Sequence, residues 1–300
     1  MDDAKKIDKR ENIKLATHNS LIEAPDLAKL SLNARKLFYV AVSQCKMSDT
    51  EFYEYETTPP ELAEMWGIDR SRVYREAEKI CKELMGMVIT LKSGKKSFKM
   101  RHLYEKCDYD DDSVLVFKLH PEMTDLLLGL KKDFSQPLVW DFMRMRSPYS
   151  MAIWHLFQKE MQSFKPMMNS PIEFELSLEE LRKVTGTENK FKQVGQFKQF
   201  VLDKAIKEIR KNCWVEITYR NKKRGRSIDG FYFTAKSIWG SMTDDELPHR
   251  LRKRLRLHDL KAKTKTGSIS PEEFDELQEL ILELGQLSLE DIMNNYPLDD

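Results

Sequence analysis

The sequence predicts an α+β protein made of two tandem winged-helix domains with a helical C-terminal extension. Three observations carry this expectation. The stretch Gly186 to Arg226 reads as a turn, an amphipathic helix, a strand, a basic tip and a returning strand, which is the order of a recognition helix followed by a wing. Upstream, a helix, a glycine-containing turn and a second helix run through Leu84, and a basic hairpin follows. The spacing from Leu62 to Gly67 recurs from Leu181 to Gly186, a weak internal repeat at the scale of a domain.

Length and composition agree with two domains. The chain has 300 residues, 41% of them hydrophobic, enough to fill two cores. Its formal net charge is only +1 despite 33% charged residues, so the placement of charge matters more than its sum. Cys45, Cys81, Cys107 and Cys213 are scattered without a CxxC pair, and they read as reduced thiols. No apolar run approaches the ~18–20 residues of a membrane span, and the polar N-terminus lacks a signal-peptide core. The expected location is the cytoplasm. The expected divisions are a flexible N-terminus (1–18), a first winged helix (19–132), an interdomain segment (133–148), a second winged helix (149–240) and a charged extension (241–300).

In the first domain, Asn19 to Ala24 is a short apolar segment. Leu32, Leu37, Phe38, Val40, Ala41 and Val42 then mark a helix that Ser31 or Asn33 can cap. Phe52, Tyr53 and Tyr55 suggest a strand. Thr58-Pro59-Pro60-Glu61 opens a helix with proline in its first turn and the spacing of a capping box. After Gly67 a second helix is expected from Ser71 to Leu84, with Arg70, Arg72 and Arg75 around its start. Val88 to Leu91 and Phe98 to Tyr104 flank a basic turn containing Lys95 and Lys96, the expected first wing. Val114 to Leu119 is a further strand, and Pro121 opens a small helix through Leu130. Asp133 to Pro148 is too apolar for a loose linker, holding Phe134, Leu138, Val139, Trp140, Phe142 and Met143.

The second domain begins with a helix from Ser150 to Met161. Ile172, Phe174 and Leu176 alternate as a strand, and Ser177 with Glu180 caps the next helix. From Gln196 to Arg210, Phe197, Phe200, Val201, Ala205, Ile206 and Ile209 form an apolar face, opposite Gln196, Lys198, Gln199, Lys204 and Lys207. Trp214 to Tyr219 and Phe231 to Phe233 read as the strands of the second wing. Between them Arg220, Lys222, Lys223, Arg224 and Arg226 surround Asn221 and Gly225 in a tight turn. Between Glu188 and Arg226 there are 12 Lys/Arg against 4 Asp/Glu, an excess that suits a polyanion.

Catalytic chemistry finds no support in the residues. The six histidines never come as HxH or HxxxH, which a metal-dependent nickase would need. His155 sits on an apolar helical face and reads as a satisfied core residue. Ser93-Gly94-Lys95-Lys96 lacks the first glycine of a phosphate loop. The acidic run Asp108, Asp110, Asp111, Asp112 lacks the glycine and terminal glutamate of a calcium loop and reads as a solvated turn. No cofactor and no metal are expected, and the protein is not read as an enzyme.

Five segments in order and spacing (NSLIEA, LSLNARKLF, SPYSMAIWHLF, FKQVGQFKQFVLDKAIKEI and ITYRNKKRGRSIDGFYF) give a resemblance over Asn19 to Ser237. The chain resembles the replication initiator (Rep) proteins of theta-replicating, iteron-containing plasmids. The resemblance implies two winged helices related by a pseudo-twofold, sitting across repeated sites of a plasmid origin. It further implies base reading mainly by the second domain. The first domain would add backbone contacts as a monomer and form a homodimer interface when the protein represses its own promoter. By position, Lys192, Gln193, Gln196, Lys198 and Gln199 fall where the family's helix enters the major groove. Family members often carry arginine where this chain has Lys198 and Gln199; arginine suits guanine, and glutamine suits adenine. Phosphate contacts are expected from Lys190, the wing residues Lys222, Lys223, Arg224 and Arg226, and from Arg70, Arg72, Arg75, Lys95 and Lys96. Host initiator ATPase and replicative helicase are the further partners implied. From the residues alone, a winged-helix transcriptional regulator and a protein-interaction scaffold stay open as alternatives.

After Trp239 the composition shifts. A basic segment holding Arg250, Arg252, Lys253, Arg254, Arg256, Lys261, Lys263 and Lys265 precedes a stretch from Thr266 whose only charges are acidic. Phe274, Leu277, Leu280, Ile281 and Leu284 form one stripe. The expected forms are a helical pair folding on itself or on the second domain, a docking element for host replication proteins, or an acidic cover for the DNA surface.

Overall fold

The computed structural model describes residues 5–7, 14–46, 48–92, 96–109, 114–161, 170–238 and 249–283. Most of the expected flexible N-terminus, Lys95, the acidic residues Asp110, Asp111 and Asp112, Trp239 and Leu284 lie outside them.

Helix α1 (Leu32–Ser43) is buried along nearly its whole length and forms the centre of the first domain. Of the two available caps, Ser31 serves: its hydroxyl accepts from the Ala34 N–H at 3.4 Å. Asn33 instead donates its amide to Glu76 at 3.2 Å. Strand β1 (Tyr55–Thr57) starts three residues later than Phe52, which is buried outside the strand. Helix α2 (Pro59–Trp66) has the expected capping box, with the Thr58 N–H donating to the Glu61 carboxylate at 2.8 Å. A cap of this kind stabilises a helix start by about 1 kcal/mol. Gly67 ends α2 at φ +66, a left-handed conformation that glycine adopts freely.

A 3₁₀ turn (Arg70–Arg72), capped by Asp69, leads into helix α3 (Val73–Met85), so the regular helix begins after Ser71. Strands β2 (Val88–Lys92) and β3 (Phe98–His102) form the first wing. The single strand expected from Phe98 to Tyr104 is split. Leu103 is buried, its N–H goes to Met87 and its carbonyl to His120, so the chain leaves the hairpin there. Strand β4 (Tyr104–Tyr109) then pairs with β5 (Leu115–Leu119), which also pairs with β1. The helix expected from Pro121 to Leu130 is only a 3₁₀ turn (Pro121–Met123) and one helical turn (Thr124–Leu127), because Leu128 is extended and Gly129 has φ +59.

The apolar segment between the domains is packed, as its composition suggests. Helix α4 (Val139–Met143) buries Val139, Phe142 and Met143. Helix α5 (Pro148–Glu160) starts two residues earlier than Ser150, with the Ser147 hydroxyl as cap, and is buried from Ser150 to Phe157. It is the spine between the domains. His155 is hydrogen-bonded through Nε2 to the Thr17 hydroxyl and through Nδ1 to the Tyr39 hydroxyl, each at 2.9 Å, one ring nitrogen donating and the other accepting. Beside it the buried Arg35 guanidinium donates to the Leu27 carbonyl and, at 3.2 Å, to that of Pro148. One continuous apolar core runs through both domains.

In the second domain, strand β6 (Ile172–Ser177) precedes helix α6 (Leu178–Thr185), again with a reciprocal capping box between Ser177 and Glu180. Thr58, Glu61, Leu62 and Gly67 therefore recur in the same spacing and the same roles as Ser177, Glu180, Leu181 and Gly186. Gly186 has φ +62, and a Cβ there would lie 3.0 Å from the Ala28 Cβ of the first domain. The turn of the second domain is thus pressed against residues Pro25–Lys29 of the first. Strands β7 (Val215–Arg224) and β8 (Ser227–Ser237) complete an antiparallel sheet with β8 in the middle. Strand β7 starts after Trp214, which sits at φ +52 and ends the helix before it. Gly230 lets β6 approach, since a Cβ on it would stand 2.6 Å from the Leu176 carbonyl oxygen.

The extension forms two further helices, α9 (His249–Thr266) and α10 (Pro271–Glu283). Leu257 and Leu260 pack on Phe274, Leu277, Leu280 and Ile281 as a separate small core. Arg256 pairs with Glu276 at 2.7 Å and Lys263 with Glu273 at 2.6 Å, joining the basic helix to the acidic one.

Candidate nucleic-acid interface

The helix at the centre of the site is built in three parts. Gln193 precedes α7 (Val194–Phe197), a π-helical turn follows (Lys198–Leu202), and α8 (Asp203–Cys213) completes it. The helical run therefore starts before Gln196 and ends after Arg210. In the π turn the Asp203 N–H bonds to the Lys198 carbonyl, five residues back. The extra residue shifts the phase of the side chains across the turn. Phe197, Val201, Leu202, Ala205 and Ile209 are buried, but Phe200 is not: 41% of it is exposed. The regular spacing had placed Phe200 in the core, and the π turn moves it to the polar face. There it stacks on Phe191, with ring centroids 5.9 Å apart, and the Lys204 ammonium lies 5.4 Å from its centroid.

Arg182 holds the turn that leads into this helix. Its guanidinium donates to the carbonyls of Thr187 at 2.9 Å, Lys190 at 2.8 Å, Phe191 at 2.7 Å and Lys192 at 3.4 Å. It also lies 5.0 Å from the centre of the Phe197 ring. A planar fork of donors can span several carbonyls at once, which a lysine cannot do. Desolvation lowers the Arg182 pKa without any carboxylate to offset it. Phe191, inside this turn, takes φ +50.

The wing is fastened to the same helix. Its two-residue tip, Gly225-Arg226, has φ +64 at Gly225, the first central position, as a type II′ hairpin requires. The Lys198 ammonium donates to Asn221 of β7 at 3.4 Å and lies 5.3 Å from the Tyr219 ring centre. The Tyr219 hydroxyl donates to Asp203 at 2.7 Å, and burial together with that carboxylate pushes its pKa up. The residues of the 190s and the 220s therefore belong to one surface.

Lys190, Lys192, Gln193, Gln196 and Gln199 are exposed, and Lys198 is half-buried through its contacts with the wing. Lys223, Arg224 and Arg226 are exposed and form no ion pair among the described residues, whereas Lys222 is paired with Glu175 across the sheet. In the first domain Arg70, Arg72 and Arg75 are exposed around the start of α3, and Lys96 is exposed on the hairpin. Sequence reasoning missed Arg182, Phe191, Tyr219 and Asn221. Arg182 carries no local signal, because its partners are carbonyls that any sequence would supply.

Among the described residues no cluster of three His, Cys, Asp or Glu side chains is placed to hold a metal ion, and no helix is long and apolar enough to cross a membrane.

Comparison with known proteins agrees with this architecture. No curated protein matches the chain. The Pi initiator protein, whose crystal structure is of its complex with iteron DNA, is 23% identical, covering 76% of this chain and 99% of its own with a TM-score of 0.62. Domains 2 and 3 of RctB are 8% identical over 73% of this chain and 81% of their own, with a TM-score of 0.34. The family described as "Initiator Replication protein, WH1" matches residues 14–158, and "Initiator Rep protein, WH2" matches residues 177–235. With both winged-helix domains matched across most of its length, the chain belongs to the initiator replication protein family.

Proposed function

We propose that this protein binds the repeated sites of a plasmid origin as duplex DNA and thereby initiates replication. The observation that carries the reading is the fastening of a cation-rich wing to the helix 194–213 through Lys198, Asn221, Tyr219 and Asp203. A helix and hairpin held in fixed relation can enter a major groove and follow the adjoining backbone together.

In this reading Lys192, Gln193, Gln196, Lys198 and Gln199 face base edges, with glutamine suited to adenine. Lys190, Lys223, Arg224 and Arg226 grip phosphates, and Arg70, Arg72, Arg75, Lys95 and Lys96 do so for the first domain. Lys222 contributes less than its neighbours because Glu175 already neutralises it. The work is done by binding, in the cytoplasm, without a catalytic step. The first domain supplies a homodimer interface when the protein represses its own promoter. Protomers arrayed on tandem sites strain a neighbouring AT-rich segment and recruit host initiator ATPase and helicase.

The test is selection of bound duplexes from a random pool, followed by plasmid maintenance. The expected outcome is a motif of about two helical turns, read by both domains on adjacent grooves. Neutralising ~6–10 phosphates lowers affinity by roughly 10³–10⁵ between 50 and 200 mM salt. A plasmid bearing the selected sites is retained only when this chain is supplied. Specific binding without plasmid retention would make the protein a transcriptional regulator, and absence of salt-sensitive duplex binding would make it a protein-interaction scaffold.

A further inference from the structure

Phe200 is out of place by every rule of helix patterning. It is 41% exposed in the middle of a helix face whose other exposed members include Gln196, Gln199, Lys204 and Lys207. The chain has a large core in which to bury a phenylalanine, yet the π turn at Lys198–Leu202 brings this one outward. π turns recur where a helix must present a side chain off its regular phase.

The ring is also held. It stacks on Phe191, which itself takes a left-handed backbone conformation and meets the Tyr149 ring edge-on at 6.4 Å. Arg182 fixes the carbonyl of Phe191 at 2.7 Å. Lys204 lies over the Phe200 ring from the same helix. An apolar side chain is thus presented rigidly, one residue after Gln199, on the face proposed to meet the bases.

A major groove offers one apolar group at its base edges, the 5-methyl of thymine. We infer that Phe200 is a specificity-determining residue that packs against the 5-methyl group of a thymine next to the base read by Gln199. The inference rests on the proposed binding of duplex DNA through this helix. It adds a contact that hydrogen-bonding residues cannot make, and it separates thymine from cytosine and uracil.

The probe is a duplex selected by this protein from a random pool, with each thymine replaced in turn by deoxyuridine, which removes only the methyl group. For the wild-type chain, one such replacement in the motif lowers affinity about fourfold, the worth of one buried methyl group. In Phe200→Ala the thymine and deoxyuridine duplexes bind equally. In Phe200→Leu, which keeps apolar bulk, part of the preference remains. A melting curve for each variant shows that the fold is retained. A selected motif without thymine, a wild-type chain indifferent to every replacement, or an unchanged thymine preference in Phe200→Ala or Phe200→Leu would each overturn the assignment. Failure of the wild-type chain to bind any duplex would instead sink the DNA-binding reading itself.

Discussion

Protonation of His155 tests the junction between the domains. The side chain is 2% exposed, and both ring nitrogens are bonded to hydroxyls, those of Thr17 and Tyr39. Burial, with the nearby Arg35 charge adding to it, pushes its pKa down to about 3. In the unfolded chain a histidine titrates near ~6.5. The unfolded state therefore binds a proton that the fold refuses, so this group leaves stability untouched above that value. Stability is lost progressively as pH falls from about 6.5 towards 3. Between pH 7.5 and 5.0 the linkage relation puts the loss at about 2 kcal/mol. Asp26 and Glu180, whose carboxyl pKa values are lowered in the fold, keep their contributions above the ordinary carboxylate values and lose them as pH falls through those values and below. Urea unfolding at the two pH values, for the wild-type chain and for His155→Gln, reads the difference directly. The substituted glutamine amide can still bond hydroxyls but cannot take up the proton, so the pH-dependent loss of the variant should be smaller by about 2 kcal/mol. Equal losses in the two proteins would refute the argument, since the missing proton would then belong to some other group.

Further outcomes follow from the site and its supports. Arg182→Lys replaces a fork bonded to four carbonyls by a point charge; it should lower stability by about 1–3 kcal/mol and weaken duplex binding, and a variant equal to wild type in both would show that the turn 187–192 holds itself. Gly186→Ala meets both a left-handed φ and the Ala28 side chain, whereas Gly67→Ala meets only the φ. Each should cost at least about 1–2 kcal/mol in urea unfolding, with Gly186→Ala the larger, and the reverse order would contradict the close packing of the two domains. Lys223→Ala should weaken binding uniformly across sequences and reduce the salt slope by about one, while Gln199→Ala should cost about 1–3 kcal/mol at one base position. Indistinguishable profiles for these last two variants would demote Gln199 to a backbone contact.

Features governed by near neighbours were legible without coordinates. The capping boxes at Thr58 and Ser177 and the glycines ending both helices each depend on residues within about four positions, whereas the turn expected over residues 220–226 narrows to Gly225-Arg226 because strand pairing continues to Arg224. The repeat of winged helices was legible too, because it is a repeat of those local signals. Strand and helix limits were less legible: Phe52, Leu103 and Leu128 are as apolar as strand or helix residues, but packing took them out of regular structure.

By itself, then, the sequence determined the two winged helices, the cationic helix and wing, and the core character of His155. Tertiary structure alone decided that Phe200 faces outward, that Arg182 secures the turn before the helix, and that Lys222 is spent on Glu175. It also brought the Cys81 and Cys107 sulfurs to 2.9 Å from chain positions on different elements. The physical reason is reach. Caps and turns are satisfied by backbone groups a few residues away, so the chain order contains their partners. The ion pair of Lys222 with Glu175 depends on groups that only folding brings together, while the π turn and the Arg182 fork close within ten residues through backbone carbonyls that carry no sequence signal.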